Sequence, residues 1–264
     1  MKVYEFGNRR KPILVLIPGT CCHWKNTFGK VIEGLQKSFF VACVSFDGFD
    51  ETEDTLFPTE TEETARIEDY ITTHYGGRVC AAYGCSLGGS IVGLMAARGK
   101  IHMDYGILGG SDLDQAGECA AKLQTALMLK LLLPLLRTGR LKSDGMQRFY
   151  EKRIAKRGAY GQAMMDMFGI GRGGLPFVQA ASVRNQFYSD LVTVLPNAID
   201  PPETEIHILY ALKMGEKYRA RYQKHFAHPV LHELDLRHEE LLAVYPQEWV
   251  KTIETICKAG GAVC

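Results

Sequence analysis

Arg78-Val79-Cys80-Ala81-Ala82-Tyr83-Gly84-Cys85-Ser86-Leu87-Gly88-Gly89-Ser90-Ile91-Val92-Gly93-Leu94-Met95-Ala96-Ala97 is the stretch that decides the fold. An apolar run of strand character enters Gly84-Cys85-Ser86-Leu87-Gly88, and a small-residue run of helical character leaves it. That is the strand, turn and helix context in which a G-x-S-x-G sequence presents its serine at the tip of a sharp turn. The glycines two before and two after Ser86 have a steric reason, because a side chain at either place would collide with the turn. Ser86 is therefore the expected nucleophile.

Outward from this turn, apolar runs of strand length recur at residues 3–6, 13–17, 41–46, 79–83, 105–108, 206–210 and 230–236, with helical segments between them. This is the pattern of an α/β chain, with a mostly parallel central sheet flanked by helices on both faces. Helices are expected over 29–38 and 60–74. The second opens with a Thr59/Glu62 capping box, places Glu60, Glu62 and Glu63 at the positive end of its dipole, and carries Ile67, Tyr70, Ile71 and His74 as one stripe. A last helix, 247–258, follows Pro246 and presents Trp249, Ile253 and Ile256 to the sheet. From 114 to 202 the alternation stops and helical segments rich in Leu and Met replace it. The expected division is a core of residues 1–113 and 203–264 with an inserted helical cap of 114–202. Gly169-Ile170-Gly171-Arg172-Gly173-Gly174 lacks the preceding strand and the following Lys-Ser/Thr of a phosphate loop, and reads as a connector.

Composition narrows the function. The 264 residues suffice for one core plus an insertion. With 31 Lys+Arg against 30 Asp+Glu the net charge is +1, and no basic cluster suggests nucleic acid as a partner. The first ten residues show no apolar signal region, which makes the cytoplasm the expected compartment. The most apolar stretch, 126–136, is broken by Lys130 and Pro134 and falls short of a bilayer span, so no membrane partner is expected. The eight cysteines, at 21, 22, 43, 80, 85, 119, 257 and 264, form no CxxC pair and no Cys/His spacing. Neither metal, cofactor nor structural disulfide is expected from them.

A serine hydroxyl needs a base, and the base needs an orienting acid. His238 directly follows the last strand run, at an edge that faces the same crevice as Ser86 in an open α/β sheet. His23 lies in the early loop and is placed in the substrate pocket with Trp24 and Cys85. The order serine, acid, histidine puts the acid after the preceding strand. There Glu216 is the first carboxylate, and Asp112, in Gly109-Gly110-Ser111-Asp112, is the alternative. The oxyanion formed in acyl transfer needs two backbone N–H donors. Leu87, after the nucleophile, and Thr20, in the loop Pro18-Gly19-Thr20-Cys21-Cys22, are the expected pair.

Together these residues resemble the α/β-hydrolase superfamily, whose helical cap the 114–202 segment is similar to. More narrowly, Phe46-Asp47-Gly48-Phe49-Asp50, Tyr83-Gly84-Cys85-Ser86-Leu87-Gly88-Gly89 and Ala211-Leu212-Lys213-Met214-Gly215-Glu216-Lys217-Tyr218 resemble uncharacterised α/β-hydrolase-like proteins of anaerobic gut bacteria. The resemblance implies Ser86 as nucleophile, His238 as base, Glu216 as acid, and Leu87 with Thr20 as oxyanion donors. Four departures stand out: Pro18-Gly19 for His-Gly, Ala211 for Gly, Glu216 for Asp, and Arg237 for the Gly before the histidine. The implied activity is a serine esterase acting on a small-molecule carboxylic ester, thioester or related acyl bond. An acyltransferase, a C–C bond hydrolase on the same scaffold, and a non-catalytic ligand-binding protein remain as alternatives.

Overall fold

A computed structural model describes residues 1–113, 115–141 and 143–259. Asp114, where the insertion was expected to start, and Cys264 lie outside the described residues. In chain order the elements are β1 (Lys2–Phe6), β2 (Ile13–Ile17), α1 (Trp24–Phe28), α2 (Ile32–Leu35), β3 (Phe40–Ser45), α3 (Glu60–Tyr75), β4 (Arg78–Cys85), α4 (Leu87–Arg98) and β5 (His102–Gly109). Four helices follow: α5 (Glu118–Thr138), α6 (Asp144–Ala155), α7 (Gly158–Met167) and α8 (Ala180–Val192). The chain then resumes with β6 (Glu205–Ala211), α9 (Glu216–His225), β7 (Val230–Leu234), α10 (Glu240–Val244) and α11 (Pro246–Ala259).

The seven strands form one sheet in the order β1-β3-β2-β4-β5-β6-β7. β1 runs antiparallel to β3, and every other pairing is parallel. Parallel strands demand crossovers, and the helices that supply them cover both faces. Side-chain alternation divides the core accordingly. Val15 and Ile17 pack into a cluster with Ile67 and Ile71 of α3 and Ile91, Val92 and Met95 of α4. Leu14 and Leu16 pack into another with Phe28, Leu35 and, from α11, Trp249, Ile253 and Ile256.

Three local expectations are corrected. The helix expected over 29–38 is two short helices, because Gly29 closes α1, whose N-cap is His23, and the chain restarts at Ile32. The buried face of α3 carries Glu60, Glu63 and Glu68 beside Ile67 and Ile71, while His74 lies outside and stacks on Tyr70 at 4.2 Å. The apolar run at 126–136 belongs to a 21-residue helix that continues through Pro134. By length and composition α5 is a helix long and apolar enough to cross a membrane. Leu123, Leu127, Met128 and Leu131 on it are exposed, whereas Ala121, Thr125, Leu135 and Leu136 are buried.

Candidate active site

β4 ends at Cys85 and α4 begins at Leu87, so Ser86 alone makes the turn, at φ 50° and ψ −113°. A non-glycine residue there carries strain of about 1–3 kcal/mol, held by the surrounding packing. The packing is close. A Cβ on Gly84 would stand 2.0 Å from the carbonyl of Gly88, and one on Gly88 would stand 2.3 Å from Ile17 O. The Ser86 N–H donates to Gly109 O at 2.7 Å, at the end of β5.

The loop after β2 lies against this turn. A Cβ on Gly19 would touch Ser86 Cβ at 3.4 Å, so the absence of a side chain lets the loop lie close against the turn. Cys22 N–H closes the loop on Gly19 O at 3.1 Å, and Cys21, at φ 57°, donates its N–H to Gln186 Oε1 of α8 at 2.6 Å. The Thr20 and Leu87 N–H groups make no hydrogen bond among the described residues, and Leu87 opens a helix whose first N–H groups have no partner of their own.

His238 comes from the loop after β7. Its carbonyl accepts the Tyr160 hydroxyl of α7 at 3.0 Å, and the Arg237 guanidinium lies over the Tyr160 ring at 5.1 Å. The Arg237 N–H donates to Glu240 Oε2 at 2.8 Å, and Glu240 N–H returns to Arg237 O at 3.0 Å, which fixes the loop's shape. At the end of β5, a Cβ on Gly110 would lie 3.0 Å from His238 Nδ1 and 2.8 Å from Glu239 Oε1. Glu239 was not anticipated. It is 6% exposed, adopts φ 53°, and accepts Ser86 N–H on Oε1 at 3.0 Å and the Tyr83 hydroxyl on Oε2 at 2.9 Å.

Glu216 is elsewhere, which corrects its expected role. It opens α9 with its side chain 76% exposed and pairs through Oε1 with Arg219 Nε at 2.9 Å. No hydrogen bond joins it to His238 among the described residues. A helix-opening glutamate followed three residues later by arginine forms its own surface pair. Asp112 offers its carbonyl to Arg221 at 2.7 Å, and its negative charge helps to raise the Glu60 carboxyl and the Tyr222 phenol, after the larger effect of burial on each.

The pocket assignments are corrected as well. Cys85, 1% exposed, is packed in the core beside Gly19 and Glu239, where burial drives its thiol well above the usual range. Trp24, 5% exposed, stacks on Tyr4 at 4.5 Å. His23 is buried and bound through Nε2 to Glu51 at 2.7 Å, and burial lowers its pKa despite that partner. Burial pushes the Cys22 thiol up to about 12, which removes it as a thiolate nucleophile at neutral pH. Cys21, Cys22, Cys43, Cys85, Cys119 and Cys257 carry free thiols.

Comparison with known proteins agrees with this architecture. The family model described as alpha/beta hydrolase fold matches residues 12–161. No curated protein sequence matches the chain. Among solved structures, a protein of the alpha/beta hydrolase family from Desulfitobacterium hafniense superposes with a TM-score of 0.76 at 19% identity, covering 97% of this chain and 99% of that one. An enol-lactonase from Burkholderia xenovorans LB400 gives 0.69 at 17% identity, over 96% and 94% of the two chains. A thermophilic esterase from Thermogutta terrifontis gives 0.70 at 14% identity, over 98% and 93%.

Proposed function

The chain belongs to the alpha/beta hydrolase family, and from that premise we propose that it is a serine hydrolase cleaving a carboxylic ester, thioester or related acyl bond through an acyl-enzyme on Ser86. The observation that carries the reading is Ser86 itself: a strained serine between a central strand and a helix N-terminus, packed on glycines that no side chain could replace. Ser86 Oγ attacks the acyl carbonyl while His238 takes its proton, and the Leu87 and Thr20 N–H groups receive the oxyanion. The tetrahedral intermediate collapses as His238 returns that proton to the leaving group, leaving the acyl group on Oγ. Water, deprotonated by the same histidine, then adds to the acyl carbonyl, and as the Oγ–acyl bond breaks His238 returns the proton to Ser86 Oγ and the acid leaves. Small-molecule acyl substrates fit this chemistry, and the enol-lactonase and esterase among the structural neighbours act in the same broad class.

We take the segment between β5 and β6 as the cap of this site. Two contacts support that assignment: Tyr160 of α7 binds the carbonyl of His238, and Gln186 of α8 binds the N–H next to Thr20. The test of the function is labelling with a fluorophosphonate probe. The wild-type chain should be labelled, and Ser86→Ala should lose labelling and p-nitrophenyl acetate hydrolysis while melting at the same temperature. A folded Ser86→Ala chain labelled as fast as wild type sinks the assignment.

A further inference from the structure

We propose that Glu239 is the acidic positioning residue of this site: its carboxylate ties the nucleophile turn to the histidine loop and supplies the negative charge that His238 needs when it takes the Ser86 proton. The proposal rests on the reading of Ser86 and His238 as nucleophile and base. It departs from chain order, which points to a carboxylate after β6.

Four observations converge. First, the Glu239 side chain is buried beneath the turn, where Oε1 accepts the Ser86 N–H at 3.0 Å, a donor it shares with Gly109 O, Oε2 accepts the Tyr83 hydroxyl at 2.9 Å, and the Cys85 thiol is a further hydrogen-bonding neighbour. Second, Oε1 and His238 Nδ1 both lie within 3.0 Å of the place that a Cβ on Gly110 would take, which sets them within about 6 Å of one another, close enough for the carboxylate to act on the charge that the imidazole gains when it takes the serine proton. A side chain at position 110 would fill the space between them. Third, Glu239 forms no ion pair with any described Lys, Arg or His. A buried carboxylate with hydrogen bonds but no cation is costly. The missing positive charge is the one that His238 acquires during acyl transfer. Fourth, Glu239 holds a left-handed backbone conformation that disfavours side-chain-bearing residues. That conformation directs the residue after the base inward, beneath the serine, instead of out along the start of α10.

The other charged and titratable groups around the histidine have different occupations. Arg237 and Glu240 close the loop's turn, Tyr160 binds its backbone, and the burial-raised groups of Cys85, Cys22 and Tyr222 remain neutral at pH 7. Glu239 is thus the carboxylate in contact with both halves of the catalytic pair's scaffold.

The experiment is the pH profile of fluorophosphonate labelling at Ser86 in the full chain. Glu239→Gln preserves an acceptor for Ser86 N–H and a donor for the Tyr83 oxygen but removes the charge. It should slow labelling on the order of 10²-fold and move the acidic limb of the profile to lower pH, with melting temperature unchanged. Glu239→Asp should recover most of the rate, and Glu216→Gln should label within about twofold of wild type. A Glu239→Gln chain with the wild-type rate and profile overturns the proposal, because a purely structural role would leave both in place. So does a folded Glu216→Gln or Asp112→Asn chain that slows labelling 10²-fold, an outcome that decides the matter even if Glu239→Gln fails to fold. A wild-type chain that takes no label at Ser86 is a separate result, and it removes the hydrolase reading together with this one.

Discussion

At Gly84 and Gly88 one backbone rests directly on another. Their absent side chains let β4, α4 and the end of β2 meet at one point, and Ser86 stands above it. An alanine methyl at 88 would need Ile17 O, inside the sheet's hydrogen-bonded ladder, to move out of its way. Gly88→Ala should therefore cost about 3 kcal/mol or more in urea unfolding and abolish fluorophosphonate labelling. Gly99→Ala, where nothing lies within 4 Å, should cost about 1 kcal/mol from its positive φ and leave labelling intact. The strand, the turn at Ser86 and the helix after it were legible in sequence because the turn admits so few residues. The burial of Glu239 beneath that turn was not. Chain order selects a loop, but Glu216 in that loop pairs outward with Arg219, and a glutamate next to a histidine in a polar run carries no mark of burial. The Glu216/Arg219 spacing was itself a readable warning that this carboxylate had a surface partner.

At the scale of elements, α3 shows why strands were read to within a few residues while a helix face was misread. Continuous apolar runs leave a buried strand little ambiguity, whereas α3 buries Glu60, Glu63 and Glu68 at helical spacing among its apolar residues. Glu68 is compensated by Arg98, whose Nε lies 2.9 and 3.0 Å from its two oxygens. Glu63 instead accepts the N–H of Asp47 at 2.9 Å, and burial raises its carboxyl to about 7 despite Arg66 and the chain's amino terminus nearby. A carboxyl whose folded value exceeds the unfolded value of about 4.3 binds its proton more tightly in the folded chain. Its contribution is fully present below about pH 4 and is lost as pH rises through about 7. Glu63→Gln keeps an acceptor for Asp47 N–H without that liability. Relative to wild type it should gain urea stability between pH 5 and pH 8, and a constant difference across that window would contradict the assignment.

Over the whole molecule, the helices described between β5 and β6 pack on the core through Leu136, Val183 and Met167, and α8 adds polar contacts. Its Ser182 and Ser189 hydroxyls accept the N–H groups of Phe57 and Glu60 at 3.2 and 3.1 Å, Asn185 Nδ2 donates to Phe57 O at 2.8 Å, and Gln186 takes Cys21 N–H. Gln186→Leu should cost about 1–3 kcal/mol in urea unfolding by leaving a buried N–H without an acceptor. If labelling slows as well, the strain of Cys21 is shared with the oxyanion loop beside it.

The position of those helices also orders events in time. β5 pairs with β6 only after residues 110–204 have been made, which at ribosomal speed is on the order of ten seconds. Throughout that interval the turn at Ser86 can exist while His238 has not been made, so the acyl-enzyme mechanism proposed above has no base to draw on. Meanwhile β5 waits at the edge of a half-built sheet with its backbone groups exposed to any strand that arrives first.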